Sequence, residues 1–423
     1  MERYSEYKDS GVQWIGEIPS HWEVLYLFQC LKEYKKSNKD IHHENLLSLS
    51  YGKIIQKDIN KTEGLLPISF DSYNVISDGN IVLRLTDLQN DHKSLRVGLC
   101  KQEGIITSAY LSLVCSSKLI PAYAYLLLHS YDIKKIFYSM GGGLRQSLNY
   151  DGLRKLKILV PSETEQKSII AYLDSQTSRI DSFIADVERE IELLGEAKQT
   201  IIADAVTKGL KKDVEMKETN TILSNHIPKH WTVVRNRNLM ESHYEPVENR
   251  KDITLLSLTL NGVIVRDLSE GKGKFPKDFD KYNVVYPNQI IFCLFDIDET
   301  PRTVGLCHNY GMITNAYDTF NIKDNVLPEY LEMYYLAVDN IKGLKPYYTG
   351  LRKTVQYNRF IQLRIGIPPI REQQEIVNYI SQKTSQIDTL ISSLTQQITS
   401  LKEYKQRLIS DVVTGQINVQ NIG

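Results

Sequence analysis

Three carboxylates in one short run, Asp296, Asp298 and Glu299, have the oxygen chemistry of a hard-cation site. A similar loop earlier in the chain, Asp87-Leu88-Gln89-Asn90-Asp91, lacks the triplet, so the run is read as a solvated turn and no metal is expected. His21 and His230 each precede a tryptophan, Trp22 and Trp231, and a packed, hydrogen-bonded imidazole suits that setting better than a catalytic one. Gly271-Lys272-Gly273-Lys274 has the wrong spacing for a phosphate loop. There is no His-Glu-x-x-His, no Asn-Pro-Pro-Tyr and no dinucleotide fingerprint. With no catalytic constellation, the chemistry left is recognition by cations and amides in loops. Such side chains grip phosphates and read base edges. The candidates are Lys53, Lys57, Lys93, Arg96, Arg145 and Gln146 in the first half, and Arg266, Lys272, Lys274, Arg302, Arg352 and Lys353 in the second. Arg145 and Arg352 follow glycines (Gly141-Gly142-Gly143 and Gly350) that let backbone approach a ligand closely. The competing reading is a tight turn whose arginine caps a neighbouring element, with the remaining cations merely solvated.

The elements that must position these residues begin with two long helices. Pro161-Ser162-Glu163-Thr164-Glu165-Gln166 opens one, and Pro368-Pro369-Ile370-Arg371-Glu372-Gln373 opens the other. In the first, Ile180, Ile184, Val187, Ile191, Leu194, Lys198, Ile201 and Ala205 recur at alternating steps of four and three. Ile387, Ile391, Leu394, Ile398, Leu401, Lys405, Leu408 and Val412 repeat the pattern. A mean step of about 3.5 residues is the seam of a left-handed coiled coil. Proline in the first turn, Glu beside it, and Gly209 or Gly415 past the end are ordinary start and stop signals. About 45 residues at ~1.5 Å each make a rod of roughly 65–70 Å.

The regions between the rods also occur twice. Ile18-Pro19-Ser20-His21-Trp22 is echoed by Ile227-Pro228-Lys229-His230-Trp231, 209 residues later, and Gly143-Leu144-Arg145 by Gly350-Leu351-Arg352, 207 later. The chain is therefore read as a tandem duplication of one unit, a globular α+β domain followed by a rod. Its boundaries are 1–160 for the first domain, 161–212 for the first helix and linker, 213–367 for the second domain and 368–423 for the second helix. Strands are expected near 46–49, 81–85, 97–99 and 110–114, a helix from Pro121, and a solvated linker over 211–218.

Composition limits the partners. Basic and acidic residues balance at 51 each, so any polyanion site must be local. Cys30, Cys100, Cys115, Cys293 and Cys307 show no metal-ligand spacing and suit a reduced core. Without a signal peptide or an apolar run of 18 residues, a soluble, cytoplasmic protein is expected, with no membrane partner.

Taken in order, these motifs resemble the specificity subunit of type I restriction-modification systems, over essentially the whole chain. The residues that carry the likeness are Trp14-Ile15-Gly16-Glu17-Ile18-Pro19-x-His21-Trp22, Gly143-Leu144-Arg145-Gln146-Ser147-Leu148, the proline followed by Glu-Gln at each rod start, and Val413-Thr414-Gly415-Gln416-Ile417. The first rod departs from the last motif, ending Val206-Thr207-Lys208-Gly209. The resemblance implies two target-recognition domains separated by two long antiparallel coiled-coil helices, with pseudo-two-fold symmetry. It implies a bipartite double-stranded DNA target with an unread spacer. It also implies modification (methyltransferase) subunits that carry S-adenosylmethionine, and restriction (motor-nuclease) subunits that carry ATP and Mg, with no cofactor on this non-catalytic chain. The alternative from another class is a tandem coiled-coil protein adaptor without DNA readout.

Overall fold

The computed structural model describes the chain except residues 1, 40, 42, 59–68, 92–94, 141–146, 249–252, 267–278, 280 and 421–423. It divides into two compact units, Met1–Val187 with Gln396–Gly423, and Glu188–Thr395. Each unit thus combines one globular domain with the near half of its own rod and the far half of the other.

Both domains use the same antiparallel frame. In the first, a four-stranded sheet runs Leu31–Glu33, Leu111–Cys115, Ile81–Leu83, Val97–Leu99; in the second, Met240–His243, Asp318–Ile322, Ile290–Phe292, Val304–Leu306. The central strands Ile81–Leu83 and Ile290–Phe292 are buried on both faces, which is why they read as unbroken apolar runs. The hairpin Leu47–Ser50 with Lys53–Gln56 recurs as Leu256–Thr259 with Gly262–Val265. Helices Pro121–Ile133 and Pro328–Asn340 start on proline and present tyrosine and aliphatic faces to the cores. The expected strands and this helix are present within a few residues. The linker differs: Met216–Glu218 is a strand paired with His226–Pro228, as Tyr7–Asp9 pairs with Glu17–Pro19. A two-stranded edge tolerates charge, because alternate side chains face solvent while the backbone supplies the bonding. Lys217 directs its ammonium onto the Lys229 and Trp231 carbonyls.

The rods are helices Glu163–Lys208 and Ile370–Val413. Their opening motifs form the joint to the globular domains. In the first unit Glu165 accepts from His21 Nε2 at 2.8 Å, Trp22 Nε1 at 3.1 Å and the Ser162 hydroxyl at 2.8 Å. Burial raises this carboxyl, but the three hydrogen bonds outweigh burial and hold it below the usual carboxylate range. In the second unit Glu372 accepts from His230 and Trp231 at 2.7 and 3.1 Å. The adjacent glutamine accepts the backbone N–H that enters the domain helix, Ile120 on Gln166 and Leu327 on Gln373, both at 2.8 Å. The far end of the other rod closes each joint: Tyr123 donates to the Val413 carbonyl and Tyr330 to that of Val206. Gly415, at φ +75°, lets the chain lie against Pro19 and Trp22; a Cβ there would stand 2.7 Å from Pro19 Cγ.

Within each unit the two rod segments run antiparallel, since one leaves the domain while the other arrives. The polar break in each seam has a partner in the facing segment. Lys405 binds Asp181 at 2.6 Å in the first unit, and Lys198 binds Asp388 at 2.7 Å in the second, the same ion pair met twice. Seam burial is uneven: Ile184, Val187, Ile398 and Leu408 are buried, whereas Ile191, Leu194, Ile391, Leu394 and Leu401 are half-exposed.

One residue of the first joint makes it acid-sensitive. His129, on the domain helix, is buried, stacks on Tyr125, and leaves Nδ1 without a hydrogen-bond partner. Burial, with a smaller contribution from the Lys405 charge, lowers its pKa to about 4. The unfolded chain therefore takes up a proton near 6.5 that the folded unit refuses until about 4, so stability falls as pH drops across that window. The loss attributable to this residue is about 3 kcal/mol. The second unit carries Leu336 here, so His129→Leu is expected to flatten the decline in melting temperature between pH 6.5 and 4.5. Parallel curves for the two proteins would show that His129 does not set it.

Candidate nucleic-acid interface

The hairpin of each domain offers the first set of candidates. In the first unit the two-residue tip Tyr51-Gly52 has both φ angles positive, at 45° and 77°, as a right-twisted hairpin demands. Lys53 and Lys57 are exposed on the returning strand and just past it. Lys53, Lys101, Tyr125 and Asp174 line a cleft of about 650 Å³ between hairpin, domain helix and rod. Arg266 takes the place of Lys57 in the second unit: their backbone N–H groups donate to Leu255 and Leu46, at 2.9 and 2.8 Å. Arg266 is half-buried.

The second set lies on the turn after Gly350. Gly350 (φ 75°) and Lys353 (φ 44°) bend the chain, and Thr349 and Thr354 exchange backbone hydrogen bonds at its base. Leu351 is fully exposed at the tip. The Arg352 side chain is 73% exposed, sits 3.4 Å from Asp296 and 5.0 Å over the Phe295 ring, and Phe295 in turn stacks on Tyr317. Lys353 lies 3.2 Å from Asp298 and 3.4 Å from Glu299. The hydrogen bond to Asp298 is the main cause that raises its pKa. The three carboxylates are therefore occupied by cations of this turn, Asp296 by Arg352 and both Asp298 and Glu299 by Lys353. Among the described residues no group of three or more His, Cys, Asp or Glu could hold a metal ion.

Two candidates are engaged within the protein instead. Arg96 is wholly buried, and its guanidinium donates to the carbonyls of Arg84, Thr86, Asp87 and Asp91 and to the Tyr138 hydroxyl, at 2.6–3.2 Å. All the donors of its fork hold one loop in shape, which leaves none for DNA. Arg302 is bound to Glu332 at 3.0 Å and to the carbonyls of Val304 and Leu260, bracing the hairpin from beneath Gly262. Sequence could not separate these two from exposed arginines, because burial depends on partners far along the chain. Lys93, Arg145, Gln146, Lys272 and Lys274 lie outside the described residues.

Exposed aromatic and apolar residues at the tips join the candidates only in the folded chain. Tyr51 and Leu260 crown the two hairpins at 80% and 68% exposure. In the second unit Tyr286 packs against His243 and Tyr310, with ring centres 5.8 and 5.4 Å away. The one signal in the sequence was the glycine close behind each tip, which marks a sharp turn and pushes its neighbour outward.

Comparison with known proteins places this frame. No family model matches the chain. Two curated relatives from Methanocaldococcus jannaschii are similar over its whole length. The specificity subunit named for the type I restriction enzyme MjaX is 24% identical across 96% of each chain. That of the type I restriction enzyme MjaVIII is 21% identical across 96% of this chain and 95% of its own. Among solved structures, the fold matches a chain from a study of type I R-M system assembly and conformational transition, with TM-score 0.68, 14% identity, and coverage of 95% of this chain and 99% of that one. It also matches the HsdS subunit of Thermoanaerobacter tengcongensis, with TM-score 0.50, 15% identity, and coverage of 95% and 98%.

Proposed function

We infer that this chain is the DNA-specificity subunit of a type I restriction-modification enzyme, a non-catalytic reader that gives its partners a bipartite target. The observation that carries the reading is the contrast between frame and tips. The joint of Trp, His, Glu and Gln recurs in both units, with matching hydrogen-bond lengths that agree within about 0.1 Å. The outward residues diverge: Tyr51 and Lys53 on one hairpin correspond to Leu260 and Gly262 on the other. A constant scaffold with variable tips suits two domains that read different half-sites. Whole-length similarity to specificity subunits supports the same conclusion.

Each domain reads one half-site, with Lys53 and Lys57 in the first and Arg266, Arg352 and Lys353 in the second as candidate contacts. Lys93, Arg145, Gln146, Lys272 and Lys274 are retained as candidates from sequence. Modification subunits carrying S-adenosylmethionine and motor-nuclease subunits carrying ATP and Mg would dock on the chain, which binds none of these itself, and the assembly acts in the cytoplasm. Among the described residues no helix is long and apolar enough to cross a membrane. Near-neutral net charge is tolerable where partner subunits close around the duplex and share the phosphate contacts.

The test is duplex binding by the purified chain with its modification subunit, on the split adenine-methylated motif read from the host methylome. Tight binding to that duplex and weak binding to a scrambled one is the expected result; equal binding to both would overturn the reading. Arg352→Ala is expected to weaken specific binding about 10–100-fold, since removing one bidentate bond pair costs ~1–3 kcal/mol, with folding intact. Unchanged affinity with a lowered melting temperature would mean that Arg352 only braces its turn through Asp296.

A further inference from the structure

The cross-strand pair at the edge of each globular domain differs between the units in a way that folding does not explain. In the first unit Tyr26 faces Lys157, whose ammonium lies 3.8 Å from the ring centre. Tyr26 stacks on Phe28, and Arg154 lies 5.6 Å over Phe28. Each cation there has an aromatic face to rest on, a favourable surface arrangement.

At the equivalent place in the second unit Arg235 faces Arg364 directly. Arg237 replaces Phe28, and its N–H donates to Ile361 O at 3.0 Å, as that of Phe28 does to Arg154 O at 3.2 Å. Arg359, two residues before Ile361, is exposed and makes one long bond, 3.4 Å to the Tyr347 carbonyl. Lys323 brings a fifth cation to this edge through a 2.9 Å bond to the Arg237 carbonyl. Among the described residues no carboxylate pairs with any of the four arginines.

Like charges directly opposite each other destabilise a sheet. Arg235 and Arg364 set opposite each other, with Arg237 and Arg359 on the adjoining turns and no acid paired to any of them, are therefore a feature the fold tolerates rather than needs. Their planar forks match the paired oxygens of phosphate. A protein partner would have to bring a matching set of carboxylates, whereas a cluster of arginines without an acid is the footprint of a surface that grips nucleic-acid backbone.

We propose that Arg235, Arg237, Arg359 and Arg364 form a phosphate grip by which the second unit holds the backbone of duplex DNA, without an equally charged counterpart in the first unit. The grip is independent of sequence, so it sets position on the duplex while the tips read bases. The proposal rests on the DNA-recognition reading above.

The experiment titrates the full chain with its modification subunit on the bipartite duplex and on an unrelated duplex of equal length, over a range of salt. Wild-type protein that binds neither would overturn the DNA reading itself. If it binds, Arg235→Tyr, Arg364→Gln and Arg359→Gln are each expected to weaken both duplexes alike, roughly tenfold, and to make the log–log salt slope shallower by about 0.9 for each phosphate no longer neutralised. Arg235→Tyr restores the first unit's cation–aromatic pairing, so its melting temperature should hold or rise while DNA binding falls. Unaltered affinity and slope in all three well-folded variants would overturn the grip. Failure to retain the modification subunit, with the DNA slope intact, would also overturn it and would assign the patch to a protein partner.

Discussion

Exchange of residues 213–367 for the corresponding segment of a relative is expected to replace one half of the methylated motif completely and leave the other half unchanged. The segment is tied to the rods by a few hydrogen bonds and by an apolar core that includes Ile202, Val206, Ile376 and Ile380. Trp231 and His230 bond Glu372, the Leu327 N–H bonds Gln373, and Tyr330 bonds the Val206 carbonyl. The strand Thr232–Arg235 pairs with Arg364–Ile367, so both halves of that two-stranded sheet travel with the exchanged piece. Any donor that supplies the same Trp, His and Tyr together with an apolar face of matching size should dock without repacking the rods. The measurement is the host methylome before and after exchange. A change in both halves of the motif would show that the two domains do not read independently.

The second large effect is expected from the seam. Val187 is 4% exposed, so Val187→Asp buries a carboxylate in the apolar seam, at a cost of ~3 kcal/mol or more. Recognition of the joined site should be abolished while each globular domain keeps its fold. Leu194→Asp should be milder, because Leu194 is half-exposed. Adding four residues between Leu194 and Ala205, about one turn or ~6 Å, should lengthen the spacer of the methylated motif by about one to two base pairs at ~3.4 Å each, provided the seam re-forms. The Lys198–Asp388 and Lys405–Asp181 pairs oppose slippage, since a polar pair in an apolar seam specifies register more than it adds stability. An insertion variant that still methylates with its original spacer would show that the rods hold the partners without measuring the DNA.

Much of the architecture follows from residue order. The rods, their ends and their seams are local: periodicity near 3.5, an opening proline and a closing glycine act within a few residues of one another. The duplication is equally visible, since Pro-x-His-Trp recurs 209 residues later and Glu-Gln 207 residues later. The α+β character and the four expected strands of the first domain follow from apolar runs between turn residues. The Met216–Glu218 strand does not, because an edge strand is held by backbone bonds to a partner and carries no apolar signature of its own.

What only tertiary structure decided is which of the candidate side chains remain outside. Arg96 and Arg352 are the same residue type, each in a polar loop. One gives every donor to carbonyls and a hydroxyl around a single loop, while the other stands 73% exposed on a turn. The Glu-Gln motif, which sequence marks as a helix start, becomes a joint only when His21 and Trp22 reach Glu165 across 143–144 residues. The opposition of Arg235 and Arg364 exists only once their strands pair. Sequence by itself determined the repeat and the rods, because each is written in local spacing. Folding decided burial, charge pairing and outward display, because these depend on contacts between residues far apart in the chain.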